Sequence, residues 1–337
     1  MADRPLRVLH VIESLGRGGA EQLLVNLLPA LAQHNITPLV AVLRGPFDLQ
    51  PELEARGISV IKVPGFSKWN LPAGVRALHK VCADKHIDII HAHLYFPSLY
   101  VGLLGARGPL PTFETFHNMA YAGANEAGIK LRFRRALRAL IAKRSNSRFL
   151  AVSGAVADHY SAALGLSEVN ALPNAIDLTG IDKAIQMVAA QNRTKPPSHT
   201  HDPDLKFVVP GRLVAEKGHS DLLRALAGAK LPPYSLHFLG GGPLEAQLVG
   251  EAEALGVPVT ISGALPHDQF LAALAVADIC IAPSRFEGFG IAAAEAMALG
   301  IPTIASDAGG LPQVIGDAGD IVPAGDSAKL RTALEDL

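Results

Sequence analysis

The sequence predicts an α/β protein built as two doubly wound, Rossmann-like domains in tandem. Three observations carry this prediction. Short apolar runs alternate with segments of helical periodicity along nearly all of the 337 residues, the signature of βαβ units and a parallel sheet. The runs are near-continuous in Val, Ile and Leu, as strands buried on both faces must be. The alternation is interrupted once, by the polar, proline-rich stretch Gln191–Asp204, which has nothing to bury. A chain of this length also exceeds one comfortable core. The domains predicted are 1–185 and 205–337, joined by a linker over 186–204.

The first unit is Leu6–Ile12, a continuous apolar run, followed by the glycine-rich turn Ser14–Gly19 and a helix on which Ala20, Leu23, Leu24, Leu27, Leu28 and Leu31 recur at helical spacing. Further strands are predicted at Thr37–Leu43, Ile58–Val63, Ile87–His91, Thr112–Phe116 and Arg148–Val152. Beyond the interruption the pattern restarts with strands at Leu205–Pro210, Ser235–Leu239, Val257–Ser262, Asp278–Pro283 and Pro302–Ser306. In such sheets ligands bind beyond the carboxyl ends of the strands, so two facing domains imply a cleft between them.

Bulk properties narrow the function. Hydrophobic residues make up 49% of the chain, ample for filled interiors, and the formal net charge of −1 gives no global attraction to nucleic acid or anionic membranes. Only Cys82 and Cys280 occur, both in apolar stretches, so they read as buried hydrophobes in a reducing compartment rather than as a disulfide. Neither a signal-peptide pattern nor an apolar run of the ~18–20 residues that span a bilayer is found, so a cytoplasmic location is expected, with at most a peripheral place on the inner face of the membrane.

The glycine-rich turns carry the first functional signal. Gly16-Arg17-Gly18-Gly19-Ala20-Glu21 has glutamate where the dinucleotide fingerprint requires its third glycine, which removes the oxidoreductase reading; no GxxxxGK[ST] loop occurs either. What remains is a tight turn before a helix N-terminus. There Gly18 and Gly19 either receive a phosphate or simply make the turn. A second cluster, Gly240-Gly241-Gly242-Pro243, also follows a strand; three glycines exceed what a turn needs and suggest a ligand close to the backbone, with Gly241 at the centre.

Charged residues of the second domain carry the stronger signal. Arg212 ends a strand and Lys217 follows five residues later, just before a helix built on Leu222, Leu223 and Leu226. Both cations fall at the sheet edge where ligands bind, and a planar Arg fork with a Lys point charge suits a diphosphate. The segment Ser284–Ala298 holds Glu287, Gly288, Phe289, Gly290, Ile291 and Glu295. On one continuous helix two glutamates eight residues apart would be about 12 Å apart along the axis and about 80° apart around it, which suits no shared point. With Glu287 in a loop and Glu295 in the following helix, each can meet a different part of an extended ligand. No other charge occurs over Ile291–Gly300, so the helix reads as buried and its carboxylate needs a partner.

Together with Phe116-His117-Asn118, Val152-Ser153, Pro173–Asp177 and Gly211–Gly218, these segments resemble the retaining glycosyltransferases of family 4, with the GT-B fold, over nearly the whole chain. The resemblance implies a first domain on the acceptor side and a second that binds the nucleotide sugar. It implies that Arg212 and Lys217 bind the donor diphosphate, and that Glu295 accepts the ribose hydroxyls. Glu287, with the amides of Gly288, Phe289, Gly290 and Ile291, would hold donor-sugar hydroxyls and the distal phosphate. His117 would face the reacting sugar, and Gly18, Gly19 and Gly241 would lie against the donor or acceptor. The implied reaction is retaining transfer from a nucleotide sugar, UDP-linked by the resemblance, to a glycan or lipid-linked acceptor in cell-surface polysaccharide or glycolipid synthesis. The donor is a substrate, no cofactor is implied, and the absence of a DxD-type loop agrees with metal independence.

Two departures stand out. Gln313 occupies a position where the family usually has glutamate, and relatives continue beyond Leu337 with a further helix. Other features invite sharper readings. His91, His93 and His117 could hint at a metal, but no cysteine or carboxylate completes a set, so no metal is expected. Lys130–Arg148 is basic and without an acid, with an apolar stripe of Leu131, Leu137, Leu140 and Ile141. It reads either as a membrane-contacting amphipathic helix or as a core-facing helix with a solvated basic side. Two other functions fit parts of the pattern: a GT-B-fold epimerase or phosphorylase, and a non-catalytic sugar-nucleotide-binding subunit. Neither accounts as well for His117, Arg212, Lys217, Glu287 and Glu295 in one chain.

Overall fold

The computed structural model describes residues 4–64, 70–106, 108–121, 128–194 and 205–337; the side chains of Lys130 and of residues 191–194 also lie outside the description. Chain contacts divide it into two units, Met1–Ala175 and Ile176–Leu337.

The first unit contains β1 (Leu6–Ile12), β2 (Ile36–Val42), β3 (Ser59–Lys62), β4 (Ile89–His93), β5 (Thr112–Phe116), β6 (Arg148–Ala151) and β7 (Asn170–Ala171). They form one parallel sheet in the order β3-β2-β1-β4-β5-β6-β7. Alternate residues of β2 enter opposite cores: Leu39 and Ala41 pack with Leu9, Val11 and Leu78, whereas Val40 and Val42 pack with Ile12, Leu24 and Leu53. This two-sided burial is the physical reason why the strand reads as an unbroken apolar run.

The second unit contains β8 (Leu205–Pro210), β9 (Tyr234–Leu239), β10 (Thr260–Ile261), β11 (Ile279–Ala282), β12 (Thr303–Ser306) and β13 (Asp320–Val322). Its parallel order is β10-β9-β8-β11-β12-β13, so the chain winds outward from β8 in one direction and from β11 in the other. That reversal makes the β8/β11 edge a topological switch point, the place where doubly wound sheets bind ligands. Arg331 of the last helix closes the structure by donating to the carbonyls of Arg224, Ala225 and Ala227 at 2.8–2.9 Å, where the helix His219–Leu226 ends.

The boundary between units differs from that read in the sequence. Helix Leu178–Thr194 packs with the second unit, because Ile181 and Ala184 bury against Leu271 on the helix His267–Leu274. Residues 176–185 thus belong with the second sheet, while most of the predicted linker, 195–204, lies outside the described residues. Strand limits differ where a helix ends late. β4 starts two residues after its predicted start because the Ile87 amide still donates to Cys82 O, and β10 is shortened because the Val257 amide donates to Ala252 O. The edge strands β7 and β13 escaped the sequence reading because they are short and largely exposed. Both cysteines are buried, and burial pushes their thiols up to about 11 for Cys82 and about 12 for Cys280.

One charge pair lies inside the first unit. Arg138, on the helix Ile129–Arg144, is 1% exposed and pairs with Glu114 of β5, itself fully buried. Its guanidinium also lies 5.6 and 5.8 Å from the ring centres of Phe116 and Phe149. Removing one partner leaves the other charge uncompensated in a low dielectric. Glu114→Leu and Arg138→Leu are each expected to cost about 3–5 kcal/mol, and the double replacement to recover much of that loss. Thermal unfolding of the three variants checks this.

Candidate functional site

In the second unit the loops leaving β8 and β11 meet backbone to backbone. The chain leaves β8 through Gly211 and Arg212, makes a single 3-10 turn over Ala215–Lys217, and enters the helix His219–Leu226 at Gly218. Gly218 has φ of 69°, and a Cβ there would sit 1.9 Å from Pro283 O, so only glycine permits this approach. Alongside it, Glu216 O accepts from the amides of Arg285 (2.8 Å) and Phe286 (3.2 Å). A bidentate pair completes the brace: Arg285 Nε and Nη2 donate to the buried carboxylate of Asp221 at 2.6 and 2.7 Å. The sequence reading missed Asp221 and Arg285. Arg285 adjoins the glutamate segment, but nothing in the linear pattern links it to a residue 64 positions earlier.

The brace brings two of the predicted site residues into contact. Lys217 Nζ pairs with Glu287, whose Oε2 also accepts from Ser284 Oγ at 3.3 Å. Ser284 is held in turn by Ser306 Oγ, which donates to its carbonyl at 2.5 Å. Arg212 is exposed, and its guanidinium makes no hydrogen bond or ion pair with any described residue. One cation free for an anion thus lies in the same short loop as one already held by a carboxylate.

Gly290, with φ of 101°, caps the helix Ile291–Ala298, and a Cβ there would meet Leu311 Cδ2 at 2.6 Å. The left-handed turn directs the first amides of that helix to the loop side, where they have no partners within the helix itself. Gly288 is buried in this loop, and Phe289 and Ile291 are half-buried. Glu295 lies one turn into the helix and is 3% exposed. Its Oε1 accepts no hydrogen bond and lies 3.4 Å from His267 Nε2. Burial, and after it the charge of Asp177, pushes the Glu295 carboxyl up to about 8. A buried carboxylate oxygen lacking a hydrogen bond, near a sheet edge built for ligands, is the mark of a group that waits for a partner.

The glycine clusters divide. A Cβ on Gly240 would lie 2.1 Å from Gly211 O and one on Gly242 2.5 Å from Leu213 O, so these two glycines serve the packing of the chain on itself. A Cβ on Gly241 would find ordinary contact, 3.5 Å from Ala264 N, so the chain's own packing does not require glycine there. In the first unit Gly18 caps the helix Gly19–Ala32 with extended backbone, and the nearest atom to an added Cβ is the end of the Glu21 side chain at 2.5 Å. Gln313 is exposed on the short helix Leu311–Ile315 that follows β12.

His117 follows β5 and is one of four histidines gathered on the first sheet. His10 Nδ1 lies 3.1 Å from His93 Nε2, His93 Nδ1 lies 3.0 Å from His117 Nε2, and His91 Nε2 lies 2.7 Å from Thr115 Oγ1. Burial lowers the pKa of all four, to about 4 for His91 and about 3 for His117, so the rings are neutral at physiological pH. His10 was missed in the sequence because only the pairing of β1 with β4 sets it opposite His91. The three imidazoles whose nitrogens lie within 4.8 Å of one another are His10, His91 and His93, so His10 rather than His117 joins His91 and His93 in this group. No carboxylate or cysteine joins this group among the described residues, and two of its members are already hydrogen-bonded to each other.

The basic helix Ile129–Arg144 exposes Ile129 (84%), Phe133 (68%) and Leu140 (50%), so large apolar side chains do face outward. Arg138 is not part of that surface, since it lies buried against Glu114; the sequence reading had counted it among the surface cations. Among the described residues no helix is long and apolar enough to cross a membrane.

Two family models match the two units of the chain. The family model described as Glycosyltransferase Family 4 matches residues 17–179, and that described as Glycosyl transferases group 1 matches residues 191–337. Glycogen synthase of Mycobacterium tuberculosis is 29% identical over 242 residues, 69% of this chain and 55% of that protein. The putative teichuronic acid biosynthesis glycosyltransferase TuaC of Bacillus subtilis is 29% identical over 276 residues, 76% of this chain and 65% of that protein. The chain therefore spans between half and two thirds of the length of these relatives. Among solved structures, Anabaena HepE in complex with UDP-glucose superposes with a TM-score of 0.81 at 20% identity, covering 98% of this chain and 89% of that one. Both sheets thus belong to a GT-B-type fold.

The state of Glu295 gives a pH signature. An acid whose folded pKa lies above its unfolded value holds its proton more tightly when folded, so stability falls as pH rises from 4.5 to about 8. Across that window the unfolding free energy, read from denaturant titrations at each pH, should fall more steeply in the wild type than in Glu295→Gln, by an amount on the order of a few kcal/mol. Parallel profiles would show that the carboxyl ionises normally.

Proposed function

The chain belongs to glycosyltransferase family 4, and on that footing we propose that it transfers a sugar from a UDP-sugar, with retention of anomeric configuration and without a metal ion, to a glycan or lipid-linked acceptor in cell-surface polysaccharide or glycolipid synthesis. The observation that carries this reading is the β8/β11 edge, where Lys217 of one loop pairs with Glu287 of the other; exposed Arg212 lies in the first of these loops, and the helix that follows the second bears the buried carboxyl of Glu295. The Anabaena relative was solved with UDP-glucose bound, which supports a uridine donor.

Departure of a nucleoside diphosphate builds negative charge on the phosphates and positive charge on the anomeric carbon. In this reading the unpaired guanidinium of Arg212 forks onto the diphosphate. Lys217 can hold Glu287 and a phosphate at once, because an ammonium has three donors. Lys217 is positioned by Glu287 before the reaction, so it need not reorganise as the leaving group departs. Glu287, which Lys217 and Ser284 hold in place, takes sugar hydroxyls, while the amides of Gly288–Ile291 take the distal phosphate. Glu295 accepts the ribose hydroxyls, which would end the isolation of its Oε1. His117 offers a hydrogen bond to the reacting sugar, and Gly18, Gly19 and Gly241 allow backbone to approach donor or acceptor. The acceptor attacks on the face from which the diphosphate leaves.

A thermal-shift panel of UDP-, GDP- and ADP-sugars, followed by donor hydrolysis with EDTA present, tests the reading. A shift with UDP-sugars and EDTA-resistant turnover are expected, and a folded sample that binds none of the donors would overturn it. Arg212→Ala and Lys217→Ala should each lower turnover by about 10²–10³-fold, or ~3–4 kcal/mol. Glu295→Ala should mainly weaken nucleotide binding, and Glu287→Ala should mainly lower turnover.

The exposed apolar residues Ile129, Phe133 and Leu140 amid the cations of the helix Ile129–Arg144 support contact with an anionic membrane, where lipid-linked acceptors reside. Flotation with anionic but not with neutral liposomes, weakened by salt and by Phe133→Ser, is expected; failure to float with either vesicle at low salt would remove this part of the proposal.

A further inference from the structure

His10, His93 and His117 form a hydrogen-bonded chain that begins inside the first unit and ends at a half-buried ring, and its inner end decides how the protons are arranged. A neutral imidazole has one proton and one lone pair. His93 is contacted at both nitrogens, so it must donate through one and accept through the other. Only two arrangements then satisfy both contacts. In one, His10 and His93 each donate from Nδ1, and His117 accepts at Nε2 with its own proton on Nδ1. In the other, His117 and His93 donate from Nε2, and His10 accepts at Nδ1 with its proton on Nε2.

The two arrangements differ in what they leave at the buried end. His10 is 2% exposed, and its Nε2 is buried without any hydrogen-bond partner. The first arrangement leaves a bare lone pair there. The second leaves an N–H deprived of both water and acceptor, and a buried N–H without an acceptor is the rarer outcome in folded proteins. The neighbouring ring, His91, makes no hydrogen bond to His10 Nε2; its own contact is from Nε2 to Thr115 Oγ1 at 2.7 Å. Burial also lowers the pKa of every ring in the group, which keeps the chain uncharged.

We propose that His10 and His93 are positioning residues that hold His117 in the tautomer carrying its proton on Nδ1, so that His117 meets its ligand as a hydrogen-bond donor. For a sugar oxygen as that ligand, the consequence rests on the function proposed above; the tautomer does not. Against an oxygen that bears developing charge a donor is favourable and a lone pair is not, so a fixed tautomer would keep every molecule in the useful state.

The test is a two-bond ¹H–¹⁵N correlation spectrum of the full chain, labelled with ¹⁵N in the histidine rings and recorded without any donor. Signals are assigned by replacing His10, His93 and His117 with Gln one at a time. The expected pattern has protonated Nδ1 and bare Nε2 in all three rings. A protonated Nε2 on His117, or a doubly protonated ring, would overturn the proposal. Equimolar Zn²⁺ should leave the three patterns unchanged; stoichiometric loss of the His10, His91 and His93 signals would overturn it in favour of a metal site. In His93→Phe the His117 signal should split between both tautomers, and a single Nδ1–H form there would show that His93 does not set it. Should that variant not fold, the wild-type spectrum still decides. Because these readouts need no donor, they can fail while donor binding by the second unit succeeds, and the reverse.

Discussion

The candidate site of the second unit depends on how closely two loops can pass. Pro283 O occupies the place that a Cβ on residue 218 would need, and two neighbouring amides bond to Glu216 O across the same gap. Everything chemical at the β8/β11 edge follows from this closeness. It sets Lys217 against Glu287 and brings Arg285 within reach of Asp221. A parallel sheet supplies the opening at its switch point, but the opening would stay wide without a residue small enough to let the backbones touch.

The first unit solves a different problem, that of keeping polar groups inside a mostly apolar structure. It uses two devices. Glu114 and Arg138 are buried as a charged pair, with their charges cancelling locally. A few residues away four histidines are gathered without charge, His10 and His93 buried and His91 and His117 half-buried, with two imidazole-to-imidazole hydrogen bonds among them. The charged pair lies between strand and helix and is structural. The neutral chain ends at His117, a residue the family resemblance associates with the reacting sugar, where an uncharged ring with a defined proton is chemically useful.

Much of this was legible in the sequence, and the reasons are local. Leu6–Ile12, Thr112–Phe116 and Leu205–Pro210 agree with the observed strands to the residue because each is largely buried on both faces, in Thr112–Phe116 with Glu114 paired to Arg138. Glu287 in a loop and Glu295 in a buried helix could be inferred from the glycines between them and from the lack of any other charge. His10, Asp221 and Arg285 could not, because their importance comes from register and from long-range pairing. Gly240 and Gly242 were legible as unusual but not as to cause: the atoms they make room for belong to Gly211 and Leu213, about 30 positions earlier. Arg138 was counted with the surface cations of its helix, since helical periodicity does not reveal which basic residue will meet a buried acid.

Helix Leu178–Thr194 bears on how such a chain can be taken apart or recombined. Its inner face, through Ile181 and Ala184, is part of the packing around Leu271 and the end of the helix that carries Glu295. Asp177, just before it, is one of the charges that Glu295 senses. The two compact units therefore part ahead of this helix, near Ala175 and Ile176, rather than at the polar stretch that looks like a linker. A chimera joined ahead of the helix would carry the electrostatic surroundings of Glu295 with it as a unit, whereas one joined at residue 205 would exchange them for those of another protein.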